Sequence, residues 1–211
     1  MRITPSSYGF PTFFRLKVAL QTRTPSTAES VVAIESIVAL AGAVPGGAVP
    51  LDAVISCAFG SPYEGELDPA AVAALGRSAL DRGATALTYA DTTGMATPRR
   101  VADLLAETGT DVGLHLHDTR GTALVNAYAA MQLGVRRFDT AVGGLGGSPF
   151  AAGAGGNLAT EDLVHMCDDV GVATGIDLDG LLAASAQVAE MVGRVADRIQ
   201  SIAMRDDSGE G

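Results

Sequence analysis

Basic residues are scarce in this chain. Lys and Arg number 14 against 24 Asp and Glu, the net charge is −10, and Lys17 is the only lysine. Phosphate backbones are bound by clustered Lys and Arg, so a nucleic-acid partner is excluded. Cysteine is scarce too: Cys57 and Cys167 are too few for a secreted disulfide scaffold and read as reduced, packed side chains. No apolar run reaches the roughly 18 residues needed to span a bilayer, so no membrane partner is expected and the cytoplasm is the default location. What remains is ordinary globular composition, 47% hydrophobic and 18% charged, in 211 residues that are enough to bury one core.

The first 25 residues differ from the rest. They hold Arg2, Arg15, Lys17 and Arg23 and no acidic residue, which leaves ten basic against 24 acidic residues beyond them. This stretch is expected to be a basic leader, disordered or unlike native coding sequence, with a transit peptide as the alternative reading. Residues 26–198 form the expected domain, and 199–211 a polar tail.

Within the domain, helices and strands alternate. Ser26 and Glu29 have capping-box spacing ahead of a helix over 28–41. Asp68-Pro69 and Thr97-Pro98 each place a capping side chain before a proline, opening helices to about 82 and 107. Further helices are expected over 121–133, from a cap at Thr160 to 169, and over 179–198. Apolar strands are expected over 53–58, 86–90, 112–117 and 137–142. Their ends fall near 57, 91, 117 and 142, a βα unit repeated four times. Such strands need cover on both faces of a parallel sheet. An open doubly wound sheet and part of a (βα)8 TIM barrel both fit. The barrel is favoured because Ser56, Asp91, His115, His117 and Asp118 gather at strand C-termini, where barrel active sites lie. A full barrel takes about 250 residues, and only the last four βα units are legible.

Three features carry chemistry. His115 and His117 lie two apart on a strand and so share a face. Two neutral imidazoles there can hold one cation, or they can be ordinary hydrogen-bonded histidines. Asp118 either orients one of them or caps the next helix. The loop 143–157 has seven glycines, free to take positive φ and approach a ligand. It reads as an active-site lid rather than a phosphate cradle, because the Walker lysine and the dinucleotide fingerprint are absent. Asn157 at its end could supply a neutral oxygen ligand. Glu161, one turn on, either faces the same site or favours a helix N-terminus by its charge. Asp91-Thr92-Thr93-Gly94 is either a ligand-binding carboxylate or an Asx turn.

Together SCAFGSPYEGELDP (56–69), YADTTGMATP (89–98), GLHLHDTRGTALVNAYAAMQLGV (113–135), FDTAVGGLGGSPFAAGAGGNLATEDLV (138–164) and GVATGIDLDGLL (171–182) resemble the 3-hydroxy-3-methylglutaryl-CoA lyase family of the DRE-TIM metallolyases, in collinear order over about 26–194. The resemblance implies a TIM barrel with a divalent Mg2+ or Mn2+ at its C-terminal mouth, held by His115, His117 and Asn157 among its ligands. It implies cleavage of a 3-hydroxyacyl-CoA to acetoacetate and acetyl-CoA, as in leucine breakdown. Asp91 corresponds to the family's aspartate near the reacting centre and Glu161 to a glutamate supporting the site. Alternatives are a related acyl-CoA lyase or aldolase with another substrate, and an inactive fragment.

Two departures stand out. Ser148 occupies the position of the family's GGLGGCP cysteine. An aliphatic hydroxyl is a far weaker acid than a thiol of pKa about 8.5, so Ser148 can position water or donate a hydrogen bond but exchanges protons poorly. The family's Arg-Asp-Gly motif, source of a fourth ligand, has no counterpart. The helix over 28–41 matches the one before the family's fifth strand. Four βα units alone would leave two open edges and an uncovered apolar inner face. A homo-oligomer, or pairing with a missing N-terminal half, is therefore expected, as is weak Mg2+ binding by three neutral ligands.

Overall fold

The computed structural model describes residues 14–19, 27–44, 49–147 and 155–192. The order is β1 (Phe14–Ala19), α1 (Thr27–Gly42), β2 (Leu51–Ser56), α2 (Pro69–Asp81), β3 (Ala86–Ala90), α3 (Pro98–Thr108), β4 (Gly113–His115), α4 (Ala123–Leu133), β5 (Arg137–Asp139), a 3-10 turn (Val142–Gly144), α5 (Thr160–Asp169) and α6 (Leu178–Val192). The strands form one sheet in the order β1-β2-β3-β4-β5, every neighbouring pair parallel. This is the sheet of a (βα)8-type barrel, and the fold class matches the sequence expectation.

The sheet has five strands where four were legible. Residues 14–19, inside the expected leader, form β1 and run in register with β2 from Phe14↔Leu51 to Ala19↔Ser56. The signal was present as Phe14, Leu16 and Val18 alternating with Arg15 and Lys17. The remaining leader residues, Ser26 of the capping box, the 193–198 end of the last expected helix and the tail lie outside the described residues.

Other boundaries moved for local reasons. β2 occupies 51–56 rather than 53–58 because Cys57 turns the chain in a left-handed conformation, φ 55°. β4 is three residues long; beyond it, residues 116–118 pair with 156–158 instead. β5 stops at Asp139, and only Ala141 continues, bridged in parallel to Ala159. Both Pro-marked caps form: Asp68 accepts from the Ala70 N–H at 3.0 Å, and Thr97 from the Arg100 N–H at 3.3 Å. Thr160 is not a cap. It is the first residue of α5, its hydroxyl pairs with that of Thr140 at 2.9 Å, and Ala159 precedes the helix without a side-chain cap.

The core lies between sheet and helices. α4 shows its spacing: Ala123, Asn126, Ala127, Ala130 and Met131 are buried, a stripe at i, i+3, i+4, i+7 and i+8. Strand residues Ala53, Ile55, Leu87, Tyr89 and Leu114 belong to this core. By the two-residue alternation, the opposite face carries Asp52, Val54, Ser56, Thr88, Ala90 and His115. Asp52 and Thr88 are buried there and bonded to each other, Thr88 Oγ1 donating to Asp52 Oδ2 at 2.8 Å. The inner face is thus partly polar, not the apolar surface expected, because strand residues that face a barrel lumen here include acids, hydroxyls and imidazole.

Candidate active site

Backbone pairing sets the site. The Asp91 N–H donates to the His115 carbonyl at 2.8 Å, so the ends of β3 and β4 lie side by side. Asp118 N–H donates to the Gly156 carbonyl and Leu158 N–H to the Leu116 carbonyl, both at 2.8 Å. The return of the glycine loop is thereby laced to the histidine segment, and Asn157 forms an antiparallel bridge with His117. His115, His117, Asn157 and Asp91 come together from three separate stretches of sequence.

The two imidazoles face each other through Nε2, 3.1 Å apart, with ring centroids at 5.1 Å and planes at 67°. Nitrogens this close either share a proton or jointly face a cation. On the far side of the His115 ring, Nδ1 lies 3.2 Å from Asp139 Oδ2. The sequence reading did not single out Asp139, which is 24 residues away. The only signal was its place in the Phe138-Asp139-Thr140 strand end, and its role depends on a register that pairs His115 with Asp139.

Asn157 Nδ2 donates to the Leu145 carbonyl at 2.6 Å, so Oδ1 is the amide's remaining polar atom. A side chain at Gly146, which has φ 113°, would collide with this amide. That close approach is what glycine permits in the loop. Among the described residues no group of three or more His, Cys, Asp and Glu is arranged to hold a metal ion. The donors present there are two imidazole nitrogens and an amide oxygen, a set open to a divalent cation.

Asp91 is 1% exposed. Its Oδ1 accepts from the N–H groups of Met95 at 2.7 Å and Ala96 at 3.1 Å, so the Asx-type turn is real. Its Oδ2 is buried without a hydrogen-bond partner. Burial pushes this carboxyl up to about 6, against the opposing pull of the Ala96 and Met95 N–H groups, the Arg120 guanidinium and His115. Arg120 is fixed by donating to the carbonyls of Thr93 at 2.9 Å and Gly94 at 2.7 Å. The Asx-turn reading of Asp91 is met by Oδ1, and Oδ2 is left over.

Glu161 is 2% exposed. Its carboxylate accepts the Gly143 N–H at 2.8 and 3.0 Å, one contact to each oxygen, and the Ser185 hydroxyl on Oε1. It therefore anchors the start of the glycine loop to α5 and α6. Asp118 meets the helix-start reading, its Oδ1 accepting from the Ala123 N–H at the start of α4 at 3.0 Å. Ser148 lies outside the described residues.

The family model described as HMGL-like matches residues 16–188. The chain is 50% identical over 146 residues to (R)-citramalyl-CoA lyase of Chloroflexus aurantiacus, covering 66% of this chain and 46% of that protein. It is 43% identical over 145 residues to human mitochondrial hydroxymethylglutaryl-CoA lyase, covering 66% and 45%. The chain thus spans about half the length of the curated relatives it matches. Among solved structures, an HMG-CoA lyase from Acinetobacter baumannii in complex with coenzyme A and 3-methylmalate superimposes with a TM-score of 0.82 at 35% identity, over 94% of this chain and 68% of that one.

Proposed function

The chain belongs to the HMGL-like family, and from that premise we propose that it acts as a divalent-metal-dependent carbon–carbon lyase on a 3-hydroxy-3-methylacyl-CoA, with 3-hydroxy-3-methylglutaryl-CoA as substrate. The observation that carries the reading is the pairing of two converging imidazoles with a buried carboxyl at adjacent strand ends. A solved relative described with coenzyme A supports an acyl-CoA ligand.

In this reading His115, His117 and Asn157 hold the ion. When bound it supplies Lewis-acid polarisation of the substrate's hydroxyl and carboxylate oxygens. Asp91 is assigned as the acceptor of the C3 hydroxyl proton. Its Oδ2 has no other partner, and a carboxyl raised to about 6 is a stronger base than an ordinary aspartate while still ionised at neutral pH. Loss of that proton leaves an alkoxide on C3, which collapses to the carbonyl in the next step. The C2–C3 bond breaks, its electron pair passes into the thioester enolate, and protonation at C2 gives acetyl-CoA. No net oxidation occurs. Glu161 holds the first turn of the glycine loop, and Ser148 on that loop is assigned a hydrogen bond to a water or to the enolate oxygen.

A second reading differs only in the acid portion. Citramalyl-CoA lacks one methylene of 3-hydroxy-3-methylglutaryl-CoA and would release pyruvate instead of acetoacetate. The 50% identity to a citramalyl-CoA lyase favours it specifically. The test is acetyl-CoA release from each thioester by the purified chain in millimolar Mn2+ or Mg2+, with His117→Ala as control. Release from one thioester that the control abolishes supports the lyase and selects the substrate. A folded chain that binds Mn2+ and releases nothing from either overturns the proposal.

A further inference from the structure

His115 can hold a cation through Nε2 only if that nitrogen keeps its lone pair, which means the ring proton must sit on Nδ1. Free imidazole does not settle on that tautomer unaided; a neighbour must select it. In this fold the neighbour is a carboxylate on the adjoining strand. His115 and Asp139 are in-register partners of the parallel pair β4–β5. Both sit at their strand's C-terminal end, and Asp139 Oδ2 lies 3.2 Å from Nδ1. An ionised carboxylate only accepts. The contact is therefore favourable when Nδ1 carries the proton, and it sets two lone pairs against each other when Nε2 does.

We infer that Asp139 is the positioning residue for His115, fixing its Nδ1–H tautomer and ring orientation so that a bare Nε2 is presented toward His117 and would be available to a metal ion. The inference rests on the metal-lyase reading for the purpose of that geometry, but the geometry itself stands on the Asp139–His115 contact. A strand pair holds the carboxylate, so its placement does not depend on closure of the glycine loop. Carboxylates that accept from the far nitrogen of a liganding histidine orient the ring and raise its basicity, and their removal weakens metal affinity by about 10–100-fold.

The test uses the full chain labelled with 15N, observed by long-range proton–nitrogen correlation of the imidazole rings above their ordinary pKa of about 6.5. Only three histidines are present, so His115→Gln, His117→Gln and His165→Gln assign every signal. In the unmodified chain His115 should show a protonated Nδ1 and a bare Nε2. Asp139→Ala should shift it toward Nε2–H, and Asp139→Asn, whose amide oxygen can still accept, should fall between them. Mn2+ affinity should decline in the same order, by about 10-fold or more for Asp139→Ala. An Nε2–H tautomer in the unmodified chain overturns the inference, with no variant needed. So does an unchanged tautomer in folded Asp139→Ala. Absence of Mn2+ binding by the unmodified chain would instead overturn the metal-lyase reading, and the tautomer would still decide the contact.

Discussion

Asp91 shows how one residue serves the turn and the site at once. Its Oδ1 is used by two backbone N–H groups, and its Oδ2 is buried with no partner. Burial raises its pKa from 3.8 to about 6. The groups facing it are His115 on β4, the Arg120 guanidinium and the N–H groups of Met95 and Ala96, all of which pull the other way. A carboxyl whose folded pKa is raised stabilises the fold fully below its unfolded value, and that contribution is lost as pH rises to the folded one. Stability should therefore fall between about pH 4 and pH 6, by about 3 kcal/mol for a shift of about two units, and then level off. In Asp91→Asn, which keeps the Oδ1 acceptor and cannot ionise, this slope should vanish. Urea midpoints measured at intervals from pH 4 to 7 check it, and an identical slope in the variant would show that another group is responsible. At this scale the site was half legible. His115 and His117 could be paired from their spacing, because strand alternation is local. Asp139 could not be paired with His115, because cross-strand register is set by the whole sheet.

The glycine loop behaves as an element because both ends are tied. At its start Glu161 accepts the Gly143 N–H with both oxygens and the Ser185 hydroxyl with one. At its end the Gly155 N–H donates to Thr119 Oγ1 at 3.1 Å, and the Gly156 carbonyl accepts from Asp118. Glu161→Ala would leave a buried hydroxyl and the Gly143 N–H without their acceptor, at a cost of about 1–3 kcal/mol. Ser185→Ala should cost less, since the Gly143 contact survives. Denaturant unfolding of both variants checks the order, and a Ser185→Ala loss equal to that of Glu161→Ala would place the anchoring in α6 rather than the loop. Elements marked by local chemistry were readable in the sequence: Asp68-Pro69 and Thr97-Pro98 open helices where their caps predict. Elements decided by tertiary pairing were not. Thr160 resembles a cap, yet its hydroxyl meets Thr140. Residues 14–19 look like part of a basic leader, yet pair with β2 along all six residues. Cys57 gives no hint in the sequence of the left-handed turn that ends β2.

For the whole molecule the decisive feature is the sheet's ends. Among the described residues the order runs from β1 to β5 without closing on itself. Among the described residues, β2 is the one strand neighbour of β1, whereas beyond β5 the chain continues only as a single bridge between Ala141 and Ala159. A parallel sheet with an open edge presents unpaired N–H and C=O groups that invite another strand. The inner face is less of a liability than expected, because Asp52, Ser56, Thr88 and His115 make it partly polar and Asp52 Oδ2 accepts the Thr88 hydroxyl. Pairing with a strand of a second copy would bury the backbone groups of such an edge. The purified chain should therefore self-associate, and a charged substitution on the edge strand at the register position of Ser56 rather than of the core residue Ile55, Ala19→Glu, should shift the equilibrium toward monomer if β1 supplies the contact. Sedimentation equilibrium over a range of concentrations measures both. A concentration-independent monomer with a single cooperative unfolding transition would mean that the five strands are sufficient alone and that their edges are already protected. An association untouched by Ala19→Glu would move the contact away from β1, toward the β5 side or the helical surface.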